Sequence, residues 1–391
     1  MPVINRITEF AADMKSWRRD IHKHPELAFE EQRTADVVAE MLNEWDIEVH
    51  RGLATTGVVG LLQGQGGGER MIGLRADMDA LPMQEFNEFE HRSVNDGSMH
   101  ACGHDGHTAM LLGAARYLAE TRNFNGRVAF IFQPAEESIG GARVMIEEGL
   151  FDKFPVESVY GLHNMPGIPA ANIEMRPGPL MAAADTVRIT VTGRGGHAAM
   201  PDLAVDPVPI AAQIITALQT IASRSVDPLD SVVVSICCVH GGSAENVIPE
   251  TVELVGSVRT FQSETQDRVE KEIQTICEGV AVAMKATADV DYQRGYPTTV
   301  NSEKETAWCA DVAAEIVGAD RISTDTALDM GSEDFSFMLR EKPGCYVLLG
   351  NGTEGGPGGC SVHNPNYDFN DEIAVTGASY WARLVETLLP A

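Results

Sequence analysis

The sequence predicts an α/β protein, a sheet layered with helices, into which a smaller ferredoxin-like α+β domain is inserted. Three observations carry this. The first 180 residues alternate helix-spaced and strand-like stretches, the chemistry-rich residues follow directly behind the strand-like runs, and from about residue 185 the pattern changes to period-two strands in a βαββαβ order. A chain of 391 residues is also long for one core. We therefore expect domain segments 1–184, 185–295 and 296–391, with the first and last forming one domain around the insertion.

In chain order, 7–22 and 31–45 have helical spacing. Gly57-Val-Val-Gly-Leu-Leu-Gln63, Met71-Ile-Gly-Leu-Arg-Ala-Asp77 and Arg127-Val-Ala-Phe-Ile-Phe-Gln133 are short apolar runs with polar ends, as buried strands of a largely parallel sheet are. An apolar helix is expected over 108–118. Within the insertion, strands are expected at 186–192, 231–236, 251–259 and 288–292, with helices over 207–222 and 264–286. A helix near 304–317 and the strand Gly344-Cys-Tyr-Val-Leu-Leu-Gly350 then resume the α/β pattern.

Composition narrows the function classes. With 29 Lys and Arg against 57 Asp and Glu, the formal charge of −28 repels phosphate backbones and anionic lipid, so neither nucleic acid nor a membrane surface is an expected partner. The seven cysteines, at 102, 237, 238, 277, 309, 345 and 360, form an odd set without small-domain spacing, which points to a reducing compartment. No basic leader precedes an apolar run at the start, and no stretch reaches about 18 apolar residues. A soluble, cytoplasmic protein is expected. Cys237-Cys238 reads as core packing in an apolar strand.

The densest chemistry is Met99-His-Ala-Cys-Gly-His-Asp-Gly-His107. Cys102 and His104 lie two apart, so an extended or looped backbone aims both side chains to one face, whereas a helix would separate them by about 200°. Thiolate plus imidazole suits zinc and other borderline divalent metals, but two ligands are too few for a site. Glu136-Glu137 sits on a turn behind a strand, where one carboxylate can bind a metal while its neighbour serves as base to a polarised water. His163 and His363 each end an apolar run and precede an Asn. His197 lies on the glycine turn Gly193-Arg-Gly-Gly-His-Ala198, and Asn246 and Arg259 are suited to fixing a carboxylate, Arg through a bidentate fork. The glycines at 64–68 lack the Lys or helix start of a phosphate loop.

Together these pieces resemble the M20 metallopeptidases, in particular the amidohydrolase branch that contains hippurate hydrolases, N-acyl-amino-acid amidohydrolases and auxin-conjugate hydrolases. The resemblance runs from Arg18-Arg-Asp-Ile-His-Lys-His-Pro-Glu26 through Arg75-Ala-Asp-Met-Asp-Ala-Leu-Pro82, the cluster at 100–107, Gln133-Pro-Ala-Glu-Glu137, Gly161-Leu-His-Asn164, Gly195-Gly-His-Ala198, Asn246-Val-Ile-Pro249 and Gly331-Ser-Glu-Asp-Phe335 to His363-Asn-Pro-Asn-Tyr-Asp368.

That resemblance implies a mixed-sheet catalytic domain with helices on both faces and an inserted lid and dimerisation domain. It implies two divalent metal ions per subunit (Zn, Mn, Co or Ni) held by Cys102, His104, Glu137, His163 and His363, with Cys102 or a water between them. Glu136 would be the general base that later protonates the leaving amine. His197, of this subunit or another, would stabilise the oxyanion, and Asn246 and Arg259 would bind the substrate carboxylate. Many family members have a metal-binding His two residues before an Asp, where this chain has Asp77 and Asp79, so Asp79 is expected to orient a ligand and Asp77 is not expected to be one.

The implied reaction is hydrolysis of the amide of a small N-acyl amino acid by a homodimer or higher homo-oligomer. Its rivals are an M20-type dipeptidase or aminopeptidase, a thiol hydrolase using Cys102, and a non-catalytic metal-binding protein.

Overall fold

The computed structural model describes residues 3–137 and 140–391. The chain divides into two compact units, one of residues 1–180, 300–327 and 334–391, the other of 181–299 and 328–333. The chain passes from one unit to the other at 180/181 and returns at 299/300. The short segment 328–333, expected with the larger domain, groups with the smaller unit.

The larger unit is built on an eight-stranded sheet ordered Glu48–Leu53, Gly57–Gln63, Arg127–Gln133, Met71–Asp77, Ser158–Pro166, Gly344–Gly352, Ile173–Glu174, Ile322–Ser323. Its four long central strands run parallel, and the strands Glu48–Leu53, Gly57–Gln63 and Ile173–Glu174 add antiparallel pairings. The sheet is therefore mixed. The antiparallel pair Glu48–Leu53 and Gly57–Gln63 is joined by a tight turn, which a helical crossover would not permit.

Residues alternate between the two faces of each strand. Ile72, Leu74 and Ala76, with Val128, Phe130 and Phe132, enter the main core beside Met110, Leu111, Val312 and Trp381 from the helices His104–Thr121, Glu303–Val317 and Ala374–Leu388. On the opposite face Arg75 and Tyr346 meet Phe335 of the helix Phe335–Glu341. Helices thus cover both faces, which explains why the central strands are apolar on both sides. Among the described residues no helix is long and apolar enough to cross a membrane.

The smaller unit has a four-stranded antiparallel sheet ordered Val233–Gly241, Thr251–Thr260, Ala183–Thr192, Thr287–Tyr296. Numbered along the chain the order is 2-3-1-4, the ferredoxin-like arrangement. Val187, Ile189 and Val191 alternate inward and pack with Ile210, Ile214, Leu218, Ile273 and Cys277 of the helices Pro207–Thr220 and Ser263–Ala283. Cys237 and Cys238 do not pack in this core. They are exposed, because their strand forms the sheet edge and its register slips between Ile236 and Cys238.

Candidate active site

Three parallel strands end together, and their carboxyl ends deliver Asp77, Gln133 and His163 to one edge of the sheet, where open α/β sheets place their ligands. Cys102 lies in the turn that follows, and Gly103 takes a left-handed backbone at φ 97°. That conformation starts the helix His104–Thr121 at His104 itself, four residues earlier than expected. A Cβ on Gly103 would lie 1.9 Å from Asn164 Oδ1, so only glycine fits this turn.

The atoms able to hold a metal converge. One ligand atom each from Cys102, His104 and His163 lie within 4.8 Å of one another, as do those of Cys102, Glu137 and His363, and those of His104, Glu136 and Glu137. Cys102 Sγ is 3.3 Å from His163 Nε2, and His363 Nε2 is 3.3 Å from Glu137 Oε1. All five side chains named as ligands in the sequence, and Glu136 with them, therefore surround one volume.

Neighbouring groups settle which ring nitrogens face it. The Asp79 carbonyl, 2.9 Å away, can only accept, so His104 Nδ1 donates to it and Nε2 points to the centre without a hydrogen-bond partner. His163 Nδ1 donates in the same way to the Asn164 carbonyl at 2.6 Å, turning Nε2 inward. Glu137 Oε1 is buried beside these rings and likewise has no well-aligned donor. His107 is different, because Asp77 at 2.6 Å and the Asn164 N–H at 2.9 Å occupy both its nitrogens. His100 is buried and belongs to none of these clusters.

The electrostatics fit a cation. Burial works against the His104 imidazolium, yet Asp77, Asp79 and Glu137 raise its pKa to about 10. Burial, with Glu137, Glu136 and Asp77, pushes the Cys102 thiol well above its usual range. His163 is driven well below the usual imidazole range by burial and by His107. Asp77 is held well below the carboxylate range despite burial, because His104, Arg75 and His107 face it. Buried carboxylates, two imidazole nitrogens turned inward and a thiol that a bound divalent metal would deprotonate form a donor set suited to such an ion.

A supporting network went unread in the sequence. Buried Arg75 donates to Gln133 at 2.8 Å, to Asp77 at 2.7 Å and to Asp334 at 2.9 Å. Asp334 also accepts from the Ala142 N–H, while its own N–H reaches Glu136 Oε1 at 3.3 Å. Arg75 and Asp334 stood in recognised motifs, and their position behind strand ends was the signal available. Asp79 accepts the Glu137 N–H at 2.9 Å as well as facing His104.

His197, Asn246 and Arg259 belong to the smaller unit. His197 is exposed on the short strand Gly196–His197, which pairs with Val247–Ile248, and exposed Asn246 accepts the Ala198 N–H at 3.0 Å. Arg259, half-buried on the strand Thr251–Thr260, donates to Ser257 Oγ at 3.3 Å.

The sequence model of peptidase family M20/M25/M40 matches residues 73–387. The chain belongs to this family. Among its relatives, a hippurate hydrolase of Campylobacter jejuni is 42% identical over 98% of both chains, and an N-acetylcysteine deacetylase of Bacillus subtilis is 37% identical over 97% of this chain and 98% of the relative. The crystal structure of a Bacillus subtilis protein described as a dinuclear metal binding peptidase from the M20 family superposes with a TM-score of 0.85 at 34% identity, covering 98% of this chain and 99% of that one. As an M20 protein, this one is a hydrolase acting on amide bonds.

Proposed function

We propose that this M20 hydrolase cleaves the amide of N-acyl amino acids of the hippurate type, using two divalent metal ions held by Cys102, His104, Glu137, His163 and His363. The observation that carries the reading is the convergence of those ligand atoms beside a further carboxylate, Glu136. The names of the hippurate hydrolase and the N-acetylcysteine deacetylase supply the substrate class.

Divalent metal held by these residues would supply Lewis acidity, the chemistry that lowers the pKa of water and polarises an amide carbonyl. Glu136 takes the proton of the attacking water and later delivers it to the departing nitrogen, so that a C–O bond replaces the C–N bond and a free amine leaves. The Asp334 N–H and the turn it belongs to hold Glu136 to that task. Asp79 fixes the His104 ring through Nδ1. We assign His197 to the oxyanion, and Asn246 and Arg259 to the substrate carboxylate. Homodimers and a cytoplasmic location complete the proposal.

The thiol-hydrolase alternative has the 3.3 Å approach of Cys102 to His163 in its favour, but the charges around the thiol oppose it. Cys102 stands among carboxylates, the reverse of the electropositive surroundings that activate a cysteine nucleophile.

Glu136→Gln should retain metal by elemental analysis while kcat on N-benzoylglycine falls by about 10²–10⁴-fold. A variant with the wild-type rate would remove Glu136 from its role. Unblocked Gly-Gly should be a poor substrate beside N-benzoylglycine, and the opposite order would favour a dipeptidase.

A further inference from the structure

We propose that Glu31 is a positioning residue that sets the turn carrying Glu136 and Glu137, a proposal that rests on the roles given to those two residues above. Glu31 stands at the start of the helix Gln32–Glu44, and the residue is fully buried. Its carboxyl group crosses to the end of the strand Arg127–Gln133. Oε1 accepts the Ala135 N–H at 2.9 Å, and Oε2 accepts the Thr56 hydroxyl at 2.6 Å.

Ala135 is the residue that most needs holding. It is buried, immediately precedes Glu136, and has φ 56°, a left-handed conformation that costs any residue with a Cβ. Strain of this kind persists only where the surroundings over-determine it. Here the Gly141 N–H binds the Ala135 carbonyl at 3.0 Å, Asp79 binds the Glu137 N–H at 2.9 Å, and Glu31 closes the remaining side.

Burying a carboxyl group is itself unfavourable, and burial lifts that of Glu31 to about 7 against the pull of its hydrogen bonds. Nothing in the reaction requires this acid chemically. Its partners are the left-handed backbone of the Glu136–Glu137 turn and a hydroxyl that orients it.

The geometry fixes what each variant removes. Glu31→Gln keeps an acceptor for the Ala135 N–H and a donor for Thr56, Glu31→Ala loses both, and Ala135→Gly removes the need for the clamp because glycine adopts this φ without strain. With the full-length protein at saturating manganese, Glu31→Ala should lower kcat on N-benzoylglycine by about 10–100-fold with KM within about threefold, and weaken manganese binding by about tenfold in calorimetric titration. Glu31→Gln should recover to within about threefold of wild type, and adding Ala135→Gly to Glu31→Ala should restore part of the loss. Adding Glu31→Ala to Glu136→Gln should cost little more than Glu136→Gln alone, because residues acting as a unit are not additive.

A folded Glu31→Ala protein with wild-type kcat and manganese affinity would overturn the proposal, as would a Glu31→Gln protein as impaired as Glu31→Ala. If Glu31→Ala does not fold, Glu31→Asp, whose shorter side chain withdraws from Ala135, is read in its place, and an unchanged kcat overturns the role. If the wild-type protein hydrolyses no N-acyl amino acid, the proposed function fails, and the manganese titration still decides Glu31: weakened affinity in Glu31→Ala upholds the clamp and unchanged affinity removes it.

Discussion

His22 shows how much chemistry a buried residue can carry away from the reacting atoms. Its Nδ1 is 2.9 Å from Asp105 and its Nε2 3.2 Å from Glu85, in a pocket where Arg18 also meets Asp368 and Asp371. Burial opposes the imidazolium and Arg18 repels it, but Asp105 and Glu85 prevail and raise its pKa to about 9. The folded protein therefore holds this proton more tightly than the unfolded chain does. The stabilisation, on the order of 3 kcal/mol, is complete below about pH 6.5 and is lost as pH rises through about 9. Urea titrations across that window should show unfolding free energy falling with pH, and the His22 component of the slope should vanish in His22→Gln. An unchanged slope would assign the effect elsewhere. In sequence, His22 was one letter of the motif at 18–26, and nothing local revealed that its partners lie 63 and 83 residues away.

Among elements, the helix His104–Thr121 and the turn before it matter most, because they set Cys102 and His104 on converging paths. Their close spacing correctly indicated non-helical backbone at Cys102. The helix start was misplaced because it depends on the left-handed Gly103, whose necessity comes from Asn164 and Tyr367 packed against it. Gly103→Ala should cost about 1–3 kcal/mol from backbone strain alone and also disturb Asn164, lowering both the melting temperature and the metal content. Retention of metal and melting temperature would show that the turn tolerates a side chain. Strands read more faithfully. The runs at 57–63, 71–77 and 127–133 form strands over those same residues, because a strand buried on both faces is a continuous apolar run whatever its neighbours are. The edge strand Val233–Gly241 read less well, since its apolar letters gave no sign that Cys237, Cys238 and Val239 would face outward.

At the scale of the whole molecule, a formal charge of −28 over the chain is a standing self-repulsion. Raising salt from about 0.01 to 0.15 M shortens the screening length from about 30 to 8 Å. The melting temperature should therefore rise with sodium chloride over that range, as scanning calorimetry would register. A flat or falling curve would mean that local ion pairs, such as Arg294 with Asp267 and Glu270, outweigh the general repulsion.

The sequence by itself determined the order of elements, the α/β sheet with its ferredoxin-like insertion, and the short roster of Cys, His and Glu that converge. The elements follow from local periodicity, and the roster from motifs that resemble those of the M20 family. Tertiary structure alone decided that the His104 and His163 rings turn a nitrogen inward while His107 has both engaged, that Arg75 ties Asp77 to Asp334, and that Glu31 holds a turn more than 100 residues away. The reason is physical. A side chain's identity is written at its own position, but the direction of its hydrogen bonds and the free energy of its charge depend on groups that only the fold brings within 3 Å.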